Sequence, residues 1–594
     1  MNLTKSLFVE YMTYPKLARR KANNSEVYKK IRKIDTEEAE EHIIQIGQAV
    51  EDAAKEYLQN KYNTEVVDLM PRYQKIHTNE ESDDEDDDDE VFIRVSNDLP
   101  TILQNTIAAI KEQKRILYQP TFQVGDCLVR ADFMVKNWDW YDLIEVKAKS
   151  GVRKEVTDDG EKKKIGPIDA KFLNDLSFQA YIINKALVEN GLPRLTNIYI
   201  VYLNRDYIKQ WDLDLVQLIK EDQANTQSEI EVIQRNKPTK IIVNDLLLDT
   251  QTIENTLNDM RKYLVLSEEE FNKICLWQGT KYLEYFGKDK IDAFGTVMGP
   301  GIHHSNASYI QDLYYQGRHA IDDLTQDEIE WFNEGGQKFI AKYMTCKNIW
   351  KPIIDSSAIR DIFFEFQYPI CFYDYETISV PIPFLDNTRP YLQTVVQYSL
   401  HKYYEDWTMK HYGWVFIGEW DKKVEDINIP HDPNRTTDEH NKAITGSYKD
   451  LLMQMLADIG DDLDKSTFVV RYEWFENSRN KEIWKLFPDL ADAYQQINGN
   501  TFDLMKIVSE WKYFDIKFKG SASIKKVMPV LAPSMDYTKL DIGRGDKAMR
   551  ELHNIISGKK TLEDRKKTIE DLLIYCGQDT MAMVRIYEAI KKVI

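Results

Sequence analysis

The sequence predicts an α/β protein with more than one domain, and three observations predict it. The chain has 594 residues, more than one ordinary core accommodates. In the first third, two strand-like segments flank a short turn and lead into a helix and a third strand. Beyond Gln367, three strand-like runs precede a helix, another strand and a long terminal helix. That alternation is expected of mixed sheets with helices packed on them.

A helix is expected over 36–60, TEEAEEHIIQIGQAVEDAAKEYLQN, because acids crowd its first turn. Its apolar stripe is Ile43, Gly47, Val50, Ala54 and Leu58, with Glu51 beside it. Another helix is expected near Pro100 to Arg115, with proline at a favoured first position. The segments CLVRADFMVKN (Cys127 to Asn137) and WYDLIEVKAKS (Trp140 to Ser150) read as strands, and NWDW reads as their hairpin turn. The helix IDAKFLNDLSFQAYIINKAL and the strand NIYIVYLN follow. Residues 205–265 read as mostly helical, and 266–366 as a helical connector. Strands are then expected at Ile370 to Ile378, Thr394 to Tyr403, Thr408 to Phe416 and Thr467 to Tyr472. Helices are expected near Tyr448 to Ile459 and over Thr561 to Val593. The boundaries expected are 1–265, 266–366 and 367–594.

Composition narrows the classes. Hydrophobic residues make up 43% and aromatics 12%, enough for real cores. No run of eighteen apolar residues occurs and the N-terminus lacks an apolar signal region, so no membrane partner is expected. The five cysteines show no CxxC spacing, which fits a reducing cytoplasm rather than a disulfide framework or zinc ribbon. Net charge is −20, and ten acids lie between Glu80 and Glu90. That run, within an expected loop at 79–91, reads as solvated and disordered. Basic patches at Lys16 to Lys21, Lys29 to Lys33 and Glu161 to Lys164 are local. Such a balance disfavours a tight nucleic-acid binder but allows an enzyme that grips nucleic acid in one groove. No phosphate-binding GxxxxGK[ST] loop occurs, so no ATP motor is expected. The stretch around Gly317 reads as a connector, His303 and His304 as a loop, and the aromatics of RADFMVKNWDWY as core.

Two constellations carry chemistry. In FYDYETI, Asp374 and Glu376 interrupt an apolar strand and point to one face. Ionised carboxylates do not sit in a core unpaired, so a cation, a basic partner or solvent must meet them. The bland alternative is a solvated sheet edge. Glu476 follows a later strand in VVRYEWFEN, Asp503 lies in FDLMKI, and YCGQDT places Tyr575 and Asp579 on one helical face. Such acids suit two divalent ions about 3.5–4 Å apart, with Tyr575 orienting or helping to deprotonate water. In the first third, Asp132 and then Glu145 and Lys147 lie on adjacent strands. Two acids there suit Mg²⁺, and the lysine suits a water or phosphate. On its own, an ExK triplet is common on exposed strands.

The order Asp374–Glu376, Glu476, Tyr575–Asp579 resembles the DnaQ-like 3′→5′ exonucleases of the DEDD type, over roughly Gln367 to Ile594. The resemblance implies an RNase H-like fold and Mg²⁺ or Mn²⁺. Tyr472 stands where that superfamily carries asparagine, and Phe475-Glu476 replaces its aromatic–aspartate pair. Asp503 is the other candidate for the second motif. Asp132, Glu145 and Lys147 resemble the PD-(D/E)XK nuclease pattern. With Glu51 on the preceding helix, and Gln179 and Tyr181 in FQAY, they resemble its RecB-like branch over about Leu3 to Tyr207. Together the halves resemble an uncharacterised bacterial family that joins the two nuclease domains, on stretches such as FKGSASIKKVMPVLAP and RPYLQTVVQYSLH. Relatives of the first domain often carry an iron–sulfur cluster on four cysteines. Here Tyr14 occupies one such place and only Cys275 lies in the later region, so no cluster is expected. The resemblance implies a cytoplasmic metal-dependent nuclease acting on DNA or RNA. The competing expectation is a nucleic-acid-binding scaffold whose nuclease folds have lost activity.

Overall fold

The computed structural model describes residues 2–23, 37–69, 73–77, 90–94, 98–158, 162–225, 250–267, 294–297, 316–318, 320–334, 338–418, 438–444, 447–533 and 545–594, with isolated positions between them. Most of the acidic run, the patch Lys29 to Lys33, His303 and His304 lie outside the described residues. The chain divides into two compact units. One comprises Met1–Leu276 with Val380–Tyr391, the other Trp277–Ser379 with Leu392–Ile594.

The first unit is built on a six-stranded mixed sheet. Its helices are α1 (Lys5–Thr13), α2 (Glu37–Tyr62) and α3 (Ala170–Glu189). Its strands are β1 (Val66–Asp68), β2 (Ile116–Tyr118), β3 (Phe133–Asn137), β4 (Trp140–Lys147), β5 (Ile198–Leu203) and β6 (Ile219–Gln223), in spatial order β6-β5-β4-β3-β2-β1. Neighbours are antiparallel except β1–β2 and β4–β5. A parallel pair needs a crossover, and α3 supplies it between β4 and β5. Side chains alternate between two cores. Leu117, Met134, Leu143 and Ile200 pack with Phe8 of α1 and Phe178 of α3. Ile116, Phe133, Ile144 and Val201 pack with Val50, Ala54 and Leu58 of α2. Burial on both faces explains why these strands read as nearly continuous apolar runs.

Two expectations change here. The stretch Cys127 to Asn137 is two strands: Cys127–Arg130 pairs with Leu3–Thr4 and Thr121–Val124 in a small sheet, and β3 starts at Phe133. The break falls at Ala131 and Asp132, whose backbones bond to Pro120 and Gln119. Residues 205–265, expected to be mostly helical, contribute the edge strand β6 because Ile219–Gln223 pairs with β5. The returning segment Val380–Tyr391 seats on the same unit. Ile382 and Tyr391 pack against the α2-side core, and the Tyr391 hydroxyl donates to the Ala148 carbonyl at 2.7 Å.

The second unit is also a six-stranded mixed sheet. Its strands are β7 (Ile370–Ile378), β8 (Thr394–Tyr403), β9 (Met409–Phe416), β10 (Asp438–Ile444), β11 (Phe468–Val470) and β12 (Thr501–Asp503), in spatial order β10-β9-β8-β7-β11-β12. β7 is antiparallel to β8 and parallel to β11. Every residue of β7 is buried, as a central strand covered on both faces requires. The polar strand β10, DEHNKAI, has no alternation to announce it, and it joins the sheet edge parallel to β9. The helices used below are α4 (Tyr448–Ile459), α5 (Glu473–Leu486), α6 (Ile524–Leu531), α7 (Gly545–Ile556) and α8 (Leu562–Lys591). α8 is started by the Thr561 side chain, which accepts from the Asp564 amide. It packs across β7, β8 and β9. Phe372 and Val469 share a core with Met583, Ile586 and Tyr587 of α8.

The stretch expected as a separate connector belongs largely to this unit. Val297, Ile321, Phe332 and Phe339 share a core with Phe514, and Ile353–Ile354 pairs with Tyr513–Phe514. Within it, Gly317 turns at φ +76° and Ile321–Asp323 makes a single 3₁₀ turn.

Candidate functional site

In the first unit, Glu145 and Lys147 stand two residues apart on the face of β4 toward α3. The Lys147 ammonium lies 2.6 Å from Glu145 Oε1 and 2.6 Å from Asp175 Oδ2. Asp175 and Gln179 are one turn apart on α3. Gln179 Nε2 donates to Glu145 Oε2 at 2.8 Å and to Asp175 Oδ1 at 3.0 Å. Lys5, at the start of α1, reaches Glu145 Oε1 at 2.9 Å and Asp132 Oδ1 at 3.5 Å. Asp132 Oδ2 accepts the Val146 amide at 2.7 Å, so the strand break turns its carboxylate onto the next strand.

The electrostatics follow from that packing. Burial alone would push Glu145 up, but Lys147 and Lys5 hold it below the usual carboxylate range. Asp132 is raised by burial and by Glu145. Burial opposes charge on both lysines, yet Glu145 and the other carboxylates keep both above the ordinary lysine range. Glu51 accepts from the Tyr118 hydroxyl at 2.8 Å and Gln119 Nε2 at 3.1 Å. It is raised mainly by burial and feels the charges of Lys5 and Glu145. Glu51, Asp132, Glu145, Lys147 and Gln179 therefore come to one region. Tyr181 does not join them: its hydroxyl donates to Glu254 at 2.6 Å, and its ring lines another cavity with Cys127, Lys185 and Arg261. The odd helical step explains this, since Gln179 and Tyr181 are two residues apart on α3 and diverge. Lys5 and Asp175 are the partners sequence reasoning missed. Asp175 carried a signal, one turn before Gln179; Lys5 carried none.

In the second unit the candidate residues converge from three elements. Asp374 and Glu376 lie on β7, Glu476 in the first turn of α5, and Tyr575 and Asp579 on α8. All five are buried. Asp374, Glu376 and Cys576 place ligand atoms within 4.8 Å of one another, and among the described residues no three acids of the first unit gather so tightly. The pairing of β7 with β8 shifts register between Glu376 and Thr377, the kind of bulge that re-aims a side chain beside a site. The Tyr575 hydroxyl and Glu376 Oε2 both come close to Gly545, the first residue of α7.

Both Asp374 oxygens, Glu376 Oε1 and Glu476 Oε2 are buried and accept no hydrogen bond. Burial raises Asp374, Glu376 and Glu476, and Asp374 raises the other two further. Asp374 and Glu476 stand close enough to act on each other's ionisation. Burial also pushes the Tyr575 hydroxyl and the Cys576 thiol far up, so both keep their protons at neutral pH. An arginine enters this group. Arg471, just past β11, lies with Nε 3.3 Å from Asp374 Oδ1 and Nη1 3.1 Å from Asp579 Oδ2. Asp503 has a different task, accepting backbone amides from Met505 at 2.8 Å and Glu473 at 3.3 Å. Glu476, Asp503, Glu376, Arg471 and the exposed Tyr472 line a cavity of about 760 Å³. Among the described residues, no helix is long and apolar enough to cross a membrane.

Residues 371–523 match a family described as "Domain of unknown function (DUF2779)". The match holds Asp374, Glu376, Arg471, Glu476 and Asp503, and ends before Asp579. The chain is also similar to "Uncharacterized protein UU173" of Ureaplasma parvum, at 22% identity over 578 residues, spanning 82% of this chain and 78% of that protein.

Proposed function

We propose that this chain is a metal-dependent nuclease with two nuclease-like sites. The second unit is read as a DnaQ-like, RNase H-like 3′→5′ exonuclease. Three antiparallel strands β9-β8-β7, followed by parallel β11 and β12, support that reading. The first unit is read as a RecB-like PD-(D/E)XK nuclease, which the strand pair β3–β4 with Asp132, Glu145 and Lys147 supports. One observation carries the proposal. Asp374, Glu376, Glu476 and Asp579 come from distant stretches into one buried group, in which both Asp374 oxygens, Glu376 Oε1 and Glu476 Oε2 meet no hydrogen-bond donor, and Glu376 and Glu476 line a cavity.

Such oxygens fit Mg²⁺ or Mn²⁺, hard cations that take oxygen ligands. Asp374, Glu376, Glu476 and Asp579 would hold the metal in the second unit, and Asp132 and Glu145, with Glu51, in the first. When bound, divalent ions stabilise the attacking and leaving oxygens of a phosphodiester. Tyr575, which stays protonated, orients a water by its hydroxyl rather than deprotonating it. Glu476 in place of aspartate is one methylene longer, and it still reaches Asp374. Lys147 holds positive charge beside Glu145, where a phosphate would meet it. Gln179 fixes Glu145 through its amide.

A second reading has one observation in its favour. Arg471 sits among the second unit's carboxylates, as in a nuclease fold that has become a nucleic-acid-binding scaffold. The deciding experiment is incubation of the full chain with end-labelled DNA and RNA, in Mn²⁺ or EDTA. Stepwise shortening from 3′ ends in Mn²⁺ alone supports the nuclease. Intact strands of both kinds with either metal favour the scaffold.

A further inference from the structure

The position of Arg471 asks what its guanidinium does there. Four carboxylates surround it, and it contacts Asp374 at 3.3 Å and Asp579 at 3.1 Å. The two contacts go to different carboxylates, one through Nε and one through Nη1. A planar guanidinium that were a permanent structural partner would be expected to form the parallel, two-bond fork with one carboxylate. Arg471 instead straddles two carboxylates and leaves Glu376 Oε1 and Glu476 Oε2 unmet. It also has somewhere to go. Its side chain is 26% exposed and lines the same 760 Å³ cavity that opens beside Glu376 and Glu476.

We propose that Arg471 is a built-in counter-ion that occupies the cation position between Asp374 and Asp579 and must leave it for a divalent metal to bind. This rests on the metal-centre reading of the second unit and adds a specificity device to it. A monovalent guanidinium and a divalent ion cannot share the same carboxylate oxygens. Metal entry therefore costs the Arg471 ion pairs, and the displaced guanidinium turns into the cavity. There it meets whatever anion the cavity holds. A phosphodiester is the anion that suits it, because guanidinium binds phosphate bidentately. Metal and phosphate then favour each other's binding: each stabilises the arrangement with Arg471 outside the carboxylates. The site without substrate stays closed to metal.

The test is Mn²⁺ titration of the full chain, followed by electron paramagnetic resonance of free Mn²⁺. It is run on the natural sequence, on Arg471→Gln and Arg471→Lys, and on each combined with Asp374→Asn. The Asp374→Asn forms subtract binding at the first unit and at the acidic run. Arg471→Gln is expected to bind Mn²⁺ at the Asp374-dependent site at least about tenfold more tightly, and Arg471→Lys, which keeps a shorter cation, by less. Adding thymidine 5′-monophosphate is expected to strengthen Mn²⁺ binding by the natural sequence, after correction for Mn²⁺ held by the nucleotide. The same addition is expected to change Arg471→Gln little. Thermal melts in EDTA confirm that each variant is folded; if Arg471→Gln is not, the nucleotide effect on Arg471→Lys, expected to be smaller than on the natural sequence, decides. Equal or weaker Asp374-dependent binding in Arg471→Gln overturns the proposal alone. Absence of Asp374-dependent binding in every form overturns the metal-centre reading and the proposal with it.

Discussion

In the first unit, all six oxygens of Asp132, Glu145 and Asp175 meet a lysine, a side-chain amide or a backbone amide. In the second, two of four buried carboxylates contact one guanidinium, and several oxygens meet no hydrogen-bond donor. Each group uses an inner strand of a mixed sheet that carries acidic residues, with a helix packed on it. The difference is in what balances the charge. The first group carries its own cations in Lys5 and Lys147. The second holds its acids together against their repulsion and relies on protons, Arg471 or an outside cation. Burial of carboxylates is thus compatible with opposite local solutions, and the one with unmet oxygens is where metal chemistry has most to gain.

The comparison breaks first in the separability of the two sites. Asp374→Ala with Glu376→Ala is expected to remove 3′ trimming by more than about 100-fold, the upper scale of losses from outer-shell partners of metal sites. It should leave any internal cutting unchanged. Glu145→Ala or Lys147→Ala should do the reverse. A ladder of end-labelled single strands, scored for trimming and internal cleavage, reads both; trimming that survives the double variant sinks the site assignment.

Within the second unit, Glu476→Gln should weaken trimming by about 10- to 100-fold, while Asp503→Asn should change it only a few-fold. The reason is geometric: Glu476 faces Asp374, whereas Asp503 is occupied by the Met505 and Glu473 amides. Equal losses in single-turnover assays would mean that both acids serve the centre. Tyr575→Phe should slow trimming by about tenfold, less than Asp579→Ala, because it keeps the ring and removes only a water-orienting hydroxyl.

The smallest effect is on stability. Glu376 has its folded pKa raised by burial and by Asp374, so the folded protein holds a proton that the unfolded chain releases. Such a group favours the folded state below the ordinary glutamate range, and that contribution is lost as pH rises through the folded value. In EDTA, urea denaturation should show the natural sequence losing stability relative to Glu376→Gln as pH is raised from about 4.5 upward. A difference that does not change with pH would mean Glu376 ionises freely in the fold.

Much of this was legible in the sequence. The strands around FYDYETI and DLIEVK announced themselves by apolar runs interrupted by acids at period two. α8 and α2 announced themselves by length and apolar stripe. The meeting of Asp374 with Asp579 followed from motif order. Three things were hidden. Lys5 lies 140 positions before Glu145, and no local pattern marks a residue whose role is set by a distant strand. Arg471 falls inside the strand expected at Thr467 to Tyr472, and nothing there marked it as the partner of carboxylates on other elements. The break at Asp132 was masked because its apolar neighbours, Ala131 and Phe133, continue the alternation across a switch between sheets.

The segment Val380–Tyr391 bears on how the chain is made. It belongs to the first unit, yet it is encoded after β7, the central strand of the second. The Lys209 amide donates to the Thr388 carbonyl and its own carbonyl accepts from the Asn387 amide, Lys209 pairs with Asp386, and Tyr391 fastens onto Ala148, the residue after Lys147. During synthesis the N-terminal unit therefore lacks these contacts when its own sheet has been translated. They form once residue 391 has emerged, and by then β7, with its two acids, is already outside the ribosome and without β8. A chain cut at residue 366 to isolate the first unit would lack the piece that seats beside β4. The two units are interleaved along the chain, and an isolated first unit keeps these contacts only when the distal segment is supplied with it.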